Sequence, residues 1–228
     1  MIRTTPRGLA ALGAGLAAAL LFTTRAISGS TPQVTILPEP VLDQPVASAK
    51  GEQTIVFAGG CFWGVQAVFQ HVKGVVRATS GYAGGTVASP TYDRVSSGTT
   101  GHAEVVEVVF DSSQLSLGQL LKVFFSVAHD PTELNRQGPD VGTQYRSAVF
   151  YTTAAQRNVV QAYIAQLTKA KAFRDPIVTQ VAPLKAFYDA EGYHQNYYNL
   201  HPNQPYIVIN DRPKVEALKT QFAQLWRD

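Results

Sequence analysis

At 228 residues, with 45% hydrophobic and 10% aromatic residues, the chain has material for one medium-sized folded domain plus extensions. Its formal charge of +3 comes from 19 Lys and Arg against 16 Asp and Glu, and setting aside Arg3, Arg7 and Arg25 leaves the remainder neutral. No Lys/Arg cluster tracks a phosphate backbone, which excludes a nucleic-acid binder, and the single cysteine, Cys61, excludes an internal disulfide.

The first 26 residues form a separate object. Arg3 and Arg7 precede an uncharged run rich in Ala and Leu, Gly8 to Thr24, and no acidic residue lies within 1–26. A basic start followed by an apolar stretch is the pattern of a secretory signal. The run is short and Ala/Gly-rich for a membrane span. The expectation is a signal peptide cleaved near Thr24-Arg25-Ala26 and export to a periplasmic compartment, with no stable membrane contact after cleavage. An uncleaved N-terminal anchor is the alternative, and an organelle transit peptide the third reading. Residues 27–50 carry four prolines among small residues and read as a flexible linker. The folded domain is expected over 51–228.

Strands and helices then alternate. Thr54 to Ala58 reads as a buried strand, and Gly59-Gly60 breaks it. Cys61 to Val72 reads as a helix, with Cys61, Val65, Val68, Phe69 and Val72 on one stripe. Val75 to Tyr82 is a second strand, and a Gly/Ser/Thr-rich loop covers 83–101. His102 to Phe110 is valine-rich and strongly strand-like. Ser116 caps a helix over 117–128, and 129–145 is a long polar loop. A strand at 147–151, a helix over 153–170, a short strand at 177–181, and helices over 191–200 and 214–226 complete the chain. This order predicts an α/β (α+β) sandwich with a ferredoxin-like mixed sheet, flanking helices and long loops.

The informative hexapeptide is GGCFWG, Gly59 to Gly64. Two glycines let the backbone leave a strand sharply. Cys61 then sits at the first turn of a helix, where free N–H groups and the dipole favour a thiolate, the form that attacks. A free cysteine is otherwise most often a small buried hydrophobe. Phe62 and Trp63 lie off the core stripe of that helix, as walls for a ligand or as rings covered by neighbouring loops. Two carboxylates share the valine-rich strand: Glu104 on the face of His102, Val106, Val108 and Phe110, and Glu107 on the face of Val105 and Val109. Alternation does not choose between them. His102 and His194 lack ligand-type spacing with other residues, and no metal is expected.

GCFWG resembles the signature of the A-type methionine sulfoxide reductases. So do GYAGG (Gly81 to Gly85), PTYDRVSSGTTGHAEVVEV (Pro90 to Val108), DVGTQYRSAVFY (Asp140 to Tyr151) and AEGYHQNYY (Ala190 to Tyr198), all in that family's order. The resemblance implies an enzyme that reduces the S epimer of methionine sulfoxide in peptides or proteins, with the free amino acid as a further candidate substrate. It implies Cys61 as the nucleophile and Glu104 as the proton donor. Phe62 and Trp63 become a cage for the substrate methyl group, and Tyr92 and Tyr145 hydroxyl donors to the oxygen. Asp140 becomes a carboxylate that orders this network, and His194 and Tyr197 rim residues. Many relatives carry resolving cysteines near the C-terminus, whereas 199–228 has none. The sulfenic acid left on Cys61 must then meet an external thiol, thioredoxin-like, glutaredoxin-like or small. No bound cofactor is expected, and a monomer is. A cysteine peroxidase, with Arg146 near the thiol, and a peptide-binding module that captures oxidised methionine are the competing readings.

Overall fold

A computed structural model of the chain describes residues 1–2 and 37–228. The expected signal segment and the first part of the expected linker fall outside the described residues. The second part of that linker has no helix or strand, but it is packed. Leu37 is 2% exposed in the main core. The Tyr163 hydroxyl donates to the Pro38 carbonyl at 2.9 Å, and the Ala47 N–H donates to the Ser112 carbonyl at 2.8 Å.

The strands and helices run β1 (Glu52–Gly59), α1 (Phe62–Gln70), β2 (Val75–Ala83), α2 (Tyr92–Ser96), β3 (Ala103–Asp111) and α3 (Leu117–Val123). Next come the two-residue strands β4 (Arg136–Gln137) and β5 (Asp140–Val141), then β6 (Ser147–Tyr151) and α4 (Ala154–Lys169). β7 (Gln180–Pro183), β8 (Phe187–Asp189), α5 (Tyr197–Leu200) and α6 (Arg212–Gln221) complete the order. The main sheet is ordered β7-β6-β1-β3-β2-β8. Its inner part, β6-β1-β3-β2, is antiparallel and joined by α1 and α3, the ferredoxin-like arrangement expected above. β6 and β7 pair in parallel, which makes the sheet mixed.

β3 lies between β1 and β2, so both its edges are paired and both its faces are covered. Val106, Val108 and Phe110 join the main core with α1 and α3, while Ala103 and Val105 join the smaller cluster on the other face. Period-2 alternation therefore turns Glu104 toward the helix side, and its Cα pairs with Tyr82. Phe57 packs between Phe69 (4.8 Å, stacked) and Phe124 (4.6 Å, tilted), pinning α1 and the end of α3 to β1.

Where structure and sequence pattern differ, tertiary contacts override local periodicity. The expected strand at 177–181 begins later, at Gln180, where β6 offers a partner. β8 was not expected, because three residues carry no alternation signal; β2 recruits it at Gly81, Tyr82 and Ala83. The expected helix over 191–200 is a 3-10 turn at Gly192–His194 and a separate α5, broken at Asn196 with φ 55°. Gln195 causes the break, for its side chain bonds Ser80 on β2 and Gln66 on α1.

Asp43 holds the packed N-terminal segment to the start of α3, accepting from the Ser116 hydroxyl (2.5 Å) and the Gly118 N–H (2.7 Å). Asp43→Ala removes this cap, and urea unfolding should show a loss of about 1 kcal/mol. An unchanged midpoint would mean that the segment adds nothing to stability.

Candidate active site

The site is assembled where β1 leaves the sheet. Gly60 has φ +88°, and a Cβ there would stand 2.5 Å from the Gln137 Cβ, so the turn requires glycine. Cys61 follows as the N-cap of α1, with no side-chain cap of its own. Beneath it, Glu104 reaches from β3, and its Oε2 accepts the Phe62 N–H at 3.1 Å. Thiol and carboxyl thus share the first turn of one helix.

The electrostatics of the resting thiol differ from the expectation of a stabilised thiolate. Burial pushes the Cys61 thiol well up from its ordinary value, and the nearby Glu104 and Asp211 push it further. The Trp63 N–H and the Lys214 ammonium act in the other direction and do not prevail. Cys61 is 9% exposed, and it rests as a neutral thiol. Burial also lifts the Glu104 carboxyl to about 8, with Asp140 and Asp211 adding to the rise and the Phe62 N–H opposing it. At neutral pH the site holds two protons, one on sulfur and one on the carboxyl.

These two groups face a cavity of about 250 Å³. Phe62 and Trp63 form its apolar wall, and Tyr92, Asp140 and Tyr145 supply polar edges. Desolvation raises Tyr92 to about 12 and raises Tyr145 also, so both phenols keep their protons and can donate. Gln204 and Tyr206 complete the lining, and the Tyr206 hydroxyl donates to Asp140.

His194 and Tyr197 lie behind the wall rather than in it. His194 Nδ1 accepts from Trp63 Nε1 at 3.2 Å, and the Tyr197 ring stacks on Trp63 at 3.8 Å. Their part is to fix the indole, not to line the cavity. Glu191 fixes another part of the lining, accepting the Tyr92 N–H (2.9 Å) and the Tyr82 hydroxyl (2.8 Å). Glu107 lies away from the cavity and pairs with Arg77 at 3.1 Å. Arg146 also lies outside the lining; its donors go to Gln180, Thr143 and Gly101. Among the described residues no cluster of three or more His, Cys, Asp or Glu could hold a metal.

Sequence reasoning missed Gln204, Tyr206 and Asp211. They belong to a stretch with no periodicity of its own, whose π-helical segment, Ile207–Asp211, begins after Tyr206 and packs on α1. Asp211 is fully buried and packs against Gly64, where a Cβ would come 2.1 Å from its Oδ1. A small residue at position 64 is therefore necessary for Asp211 to approach Cys61, and GCFWG was the one signal that pointed there.

A buried thiol beside a protonated carboxyl, in a cavity walled by aromatic rings, is an arrangement suited to thiol chemistry with an acid to hand. The profile of the family described as peptide methionine sulfoxide reductase matches residues 53–226. The chain is 55% identical over 181 residues to a Mesorhizobium japonicum protein named peptide methionine sulfoxide reductase MsrA 2, covering 79% of this chain and 93% of that one. A Synechocystis protein of the same name is 50% identical over 195 residues, 85% of this chain and 91% of that one. Among solved structures, Mxr1 from Saccharomyces cerevisiae in reduced form superposes with a TM-score of 0.61 and 34% identity, covering 71% of this chain and 91% of that chain. Methionine sulfoxide reductase A of Corynebacterium diphtheriae does so with 0.58 and 37%, covering 75% and 88%. The chain belongs to the peptide methionine sulfoxide reductase family. It is an enzyme of the A type that reduces methionine sulfoxide.

The raised Glu104 carboxyl has a consequence for stability. It binds its proton more tightly folded than unfolded, so folding stability falls as pH rises from about 4.5 to about 8. Glu104→Gln removes this linkage. Its stability relative to wild type should climb across that window and level off above it, measured by urea unfolding at several pH values. A constant difference would mean that Glu104 is ionised in the folded protein at neutral pH.

Proposed function

We propose that Cys61 attacks the sulfoxide sulfur while Glu104 protonates the departing oxygen, giving methionine and a Cys61 sulfenic acid. The observation that carries this reading is the pairing of a thiol with a neutral carboxyl at one cavity. The protons balance. Glu104 gives its proton to the sulfoxide oxygen as the Cys61 sulfur bonds to the substrate sulfur. The proton lost by the thiol returns to Glu104, and the oxygen ends on Cys61 as hydroxyl. Tyr92 and Tyr145 donate to the oxygen as negative charge collects there, and Tyr206 keeps Asp140 in place.

Phe62 and Trp63 receive the S-methyl group. The same cavity carries the apolar rings of Phe62 and Trp63 and the hydrogen-bonding groups of Glu104, Tyr92 and Tyr145, and this combination of contacts supports selection of one epimer, the S form. Substrate in peptides or proteins reaches Cys61 through the cavity mouth, as does the free amino acid. Cys61 is the one cysteine among the 228 residues. Its sulfenic acid therefore passes to an external thiol, from a thioredoxin-like or glutaredoxin-like protein or a small molecule. The reading extends to a monomeric enzyme working in an exported, periplasmic setting. Arg3, Arg7 and the apolar run Gly8 to Thr24 support that setting. An intact mass of the exported protein retaining residues 1–26 would favour an anchor instead.

Without added thiol, one equivalent of methionine should form per enzyme and the free thiol should vanish. More than one equivalent would defeat the external-thiol step. Cys61→Ser should be inactive. Glu104→Gln should slow the single turnover by about 10²–10⁴-fold. For wild type, the single-turnover rate should fall as pH rises through about 8, where Glu104 loses its proton. A flat profile from pH 6 to 9 would move the acid role to a tyrosine.

A further inference from the structure

Cys61 lines two cavities, not one. Beside the sulfoxide cavity lies a second of about 80 Å³, bounded by Gln137, Gly138, Pro139, Asn210 and Lys214. The two share Cys61 and Tyr206 in their walls. The second contains neither Phe62, Trp63 nor Glu104, and its one charged lining group is the Lys214 ammonium. That ammonium is held in place. It donates to Asp211 Oδ1 at 3.3 Å, and it lies at the first turn of α1, 3.1 Å from where a Cβ on Gly64 would stand. Asp211 itself is fully buried with Oδ2 unpartnered, so it presents Lys214 without leaving the core.

This arrangement answers a geometric demand of the second half-reaction. Displacement at divalent sulfur runs in line, so an incoming thiolate must approach the sulfur away from the oxygen that leaves. The oxygen of the Cys61 sulfenic acid derives from the substrate and lies in the first cavity, with Glu104 and the phenols. We propose that the second cavity is the entry for the resolving thiol, with Lys214 receiving the negative charge of the incoming sulfur. This inference rests on the mechanism proposed above. Its size fits the CH₂–S⁻ end of a thiol rather than a whole peptide.

The step balances. The thiolate sulfur forms an S–S bond with Cys61 as the S–O bond breaks. Hydroxide leaves into the first cavity and takes a proton from Glu104 to become water. The incoming sulfur is oxidised and the Cys61 sulfur reduced, and a second thiol then opens the mixed disulfide.

The test separates the two half-reactions. Wild type, Lys214→Met, Lys214→Arg and Asn210→Leu are each given one equivalent of methionine sulfoxide, and the methionine burst is measured. The resulting sulfenic acid is then mixed with anionic 3-mercaptopropionate, neutral 2-mercaptoethanol or cationic cysteamine, with rates taken per thiolate. For wild type, the anionic reagent should resolve faster than the cationic one. Lys214→Met should slow resolution by about tenfold or more and erase the charge order, the effect of one close cation. Lys214→Arg should restore the order. Asn210→Leu, which narrows the cavity at a half-buried position, should slow all three reagents while its burst persists. Repeating resolution with glutathione and with a reduced thioredoxin identifies the carrier by the faster rate per thiolate, and Lys214→Met should slow either one.

A normal burst in both Lys214→Met and Asn210→Leu with unchanged resolution would overturn the second cavity and leave the first mechanism intact. Retention of the charge order in Lys214→Met would overturn the role of the cation. Loss of the wild-type burst itself would instead defeat the mechanism on which the inference rests.

Discussion

The hydrogen bond from the Phe62 N–H to the Glu104 carboxyl is the constraint on which the rest of the site depends. It ties a strand in the middle of the sheet to the first turn of the helix that Cys61 caps. An acid and a thiol from distant parts of the chain thereby become neighbours at a fixed separation. A helix N-terminus would ordinarily hold a carboxylate ionised. Here burial outweighs a single N–H donor, and the carboxyl remains neutral at pH 7. The bond therefore positions the acid without consuming its proton.

The same balance governs the sulfur. Glu104, Asp140 and Asp211 surround the cavity region with acidic groups, and Lys214 is the cation that counters them near Cys61. A thiol kept protonated is slow toward oxidants that meet it by chance. In the mechanism proposed above, a sulfoxide differs because its oxygen takes the Glu104 proton, and only then does sulfur attack become favourable. On that reading, selectivity for substrate and restraint at rest follow from one electrostatic arrangement.

Rigidity of the aromatic wall comes from a third part of the chain. His194 and Tyr197 hold the Trp63 indole, and Glu191 holds Tyr92 and Tyr82. Gln195 anchors that segment to β2 and α1 through several hydrogen bonds. A wall held in this way has little side-chain freedom left to lose, so a ligand that packs on it is oriented at low entropic cost.

Much of this was legible in the sequence, and the residues explain how far. Alternation in β3 placed Glu104 and Glu107 on opposite faces, because side-chain direction in a strand is a local property with period 2. Gly59-Gly60 before Cys61 marked the strand-to-helix turn, because a positive φ is also local. What alternation could not decide was which face would meet Cys61. That required β3 to lie between β1 and β2 with α1 above it, a matter of long-range pairing. Helix periodicity put Cys61 at a dipole that favours thiolate, yet burial by distant residues raised the thiol instead. Tyr206, Asp211 and Lys214 gave no signal, since their roles come from the C-terminal segment packing back on α1. The sequence by itself determined the turn, the single thiol and the two candidate acids. Only the tertiary structure decided which acid faces the sulfur, and in which protonation state both rest, because desolvation and charge proximity are set by groups far apart along the chain.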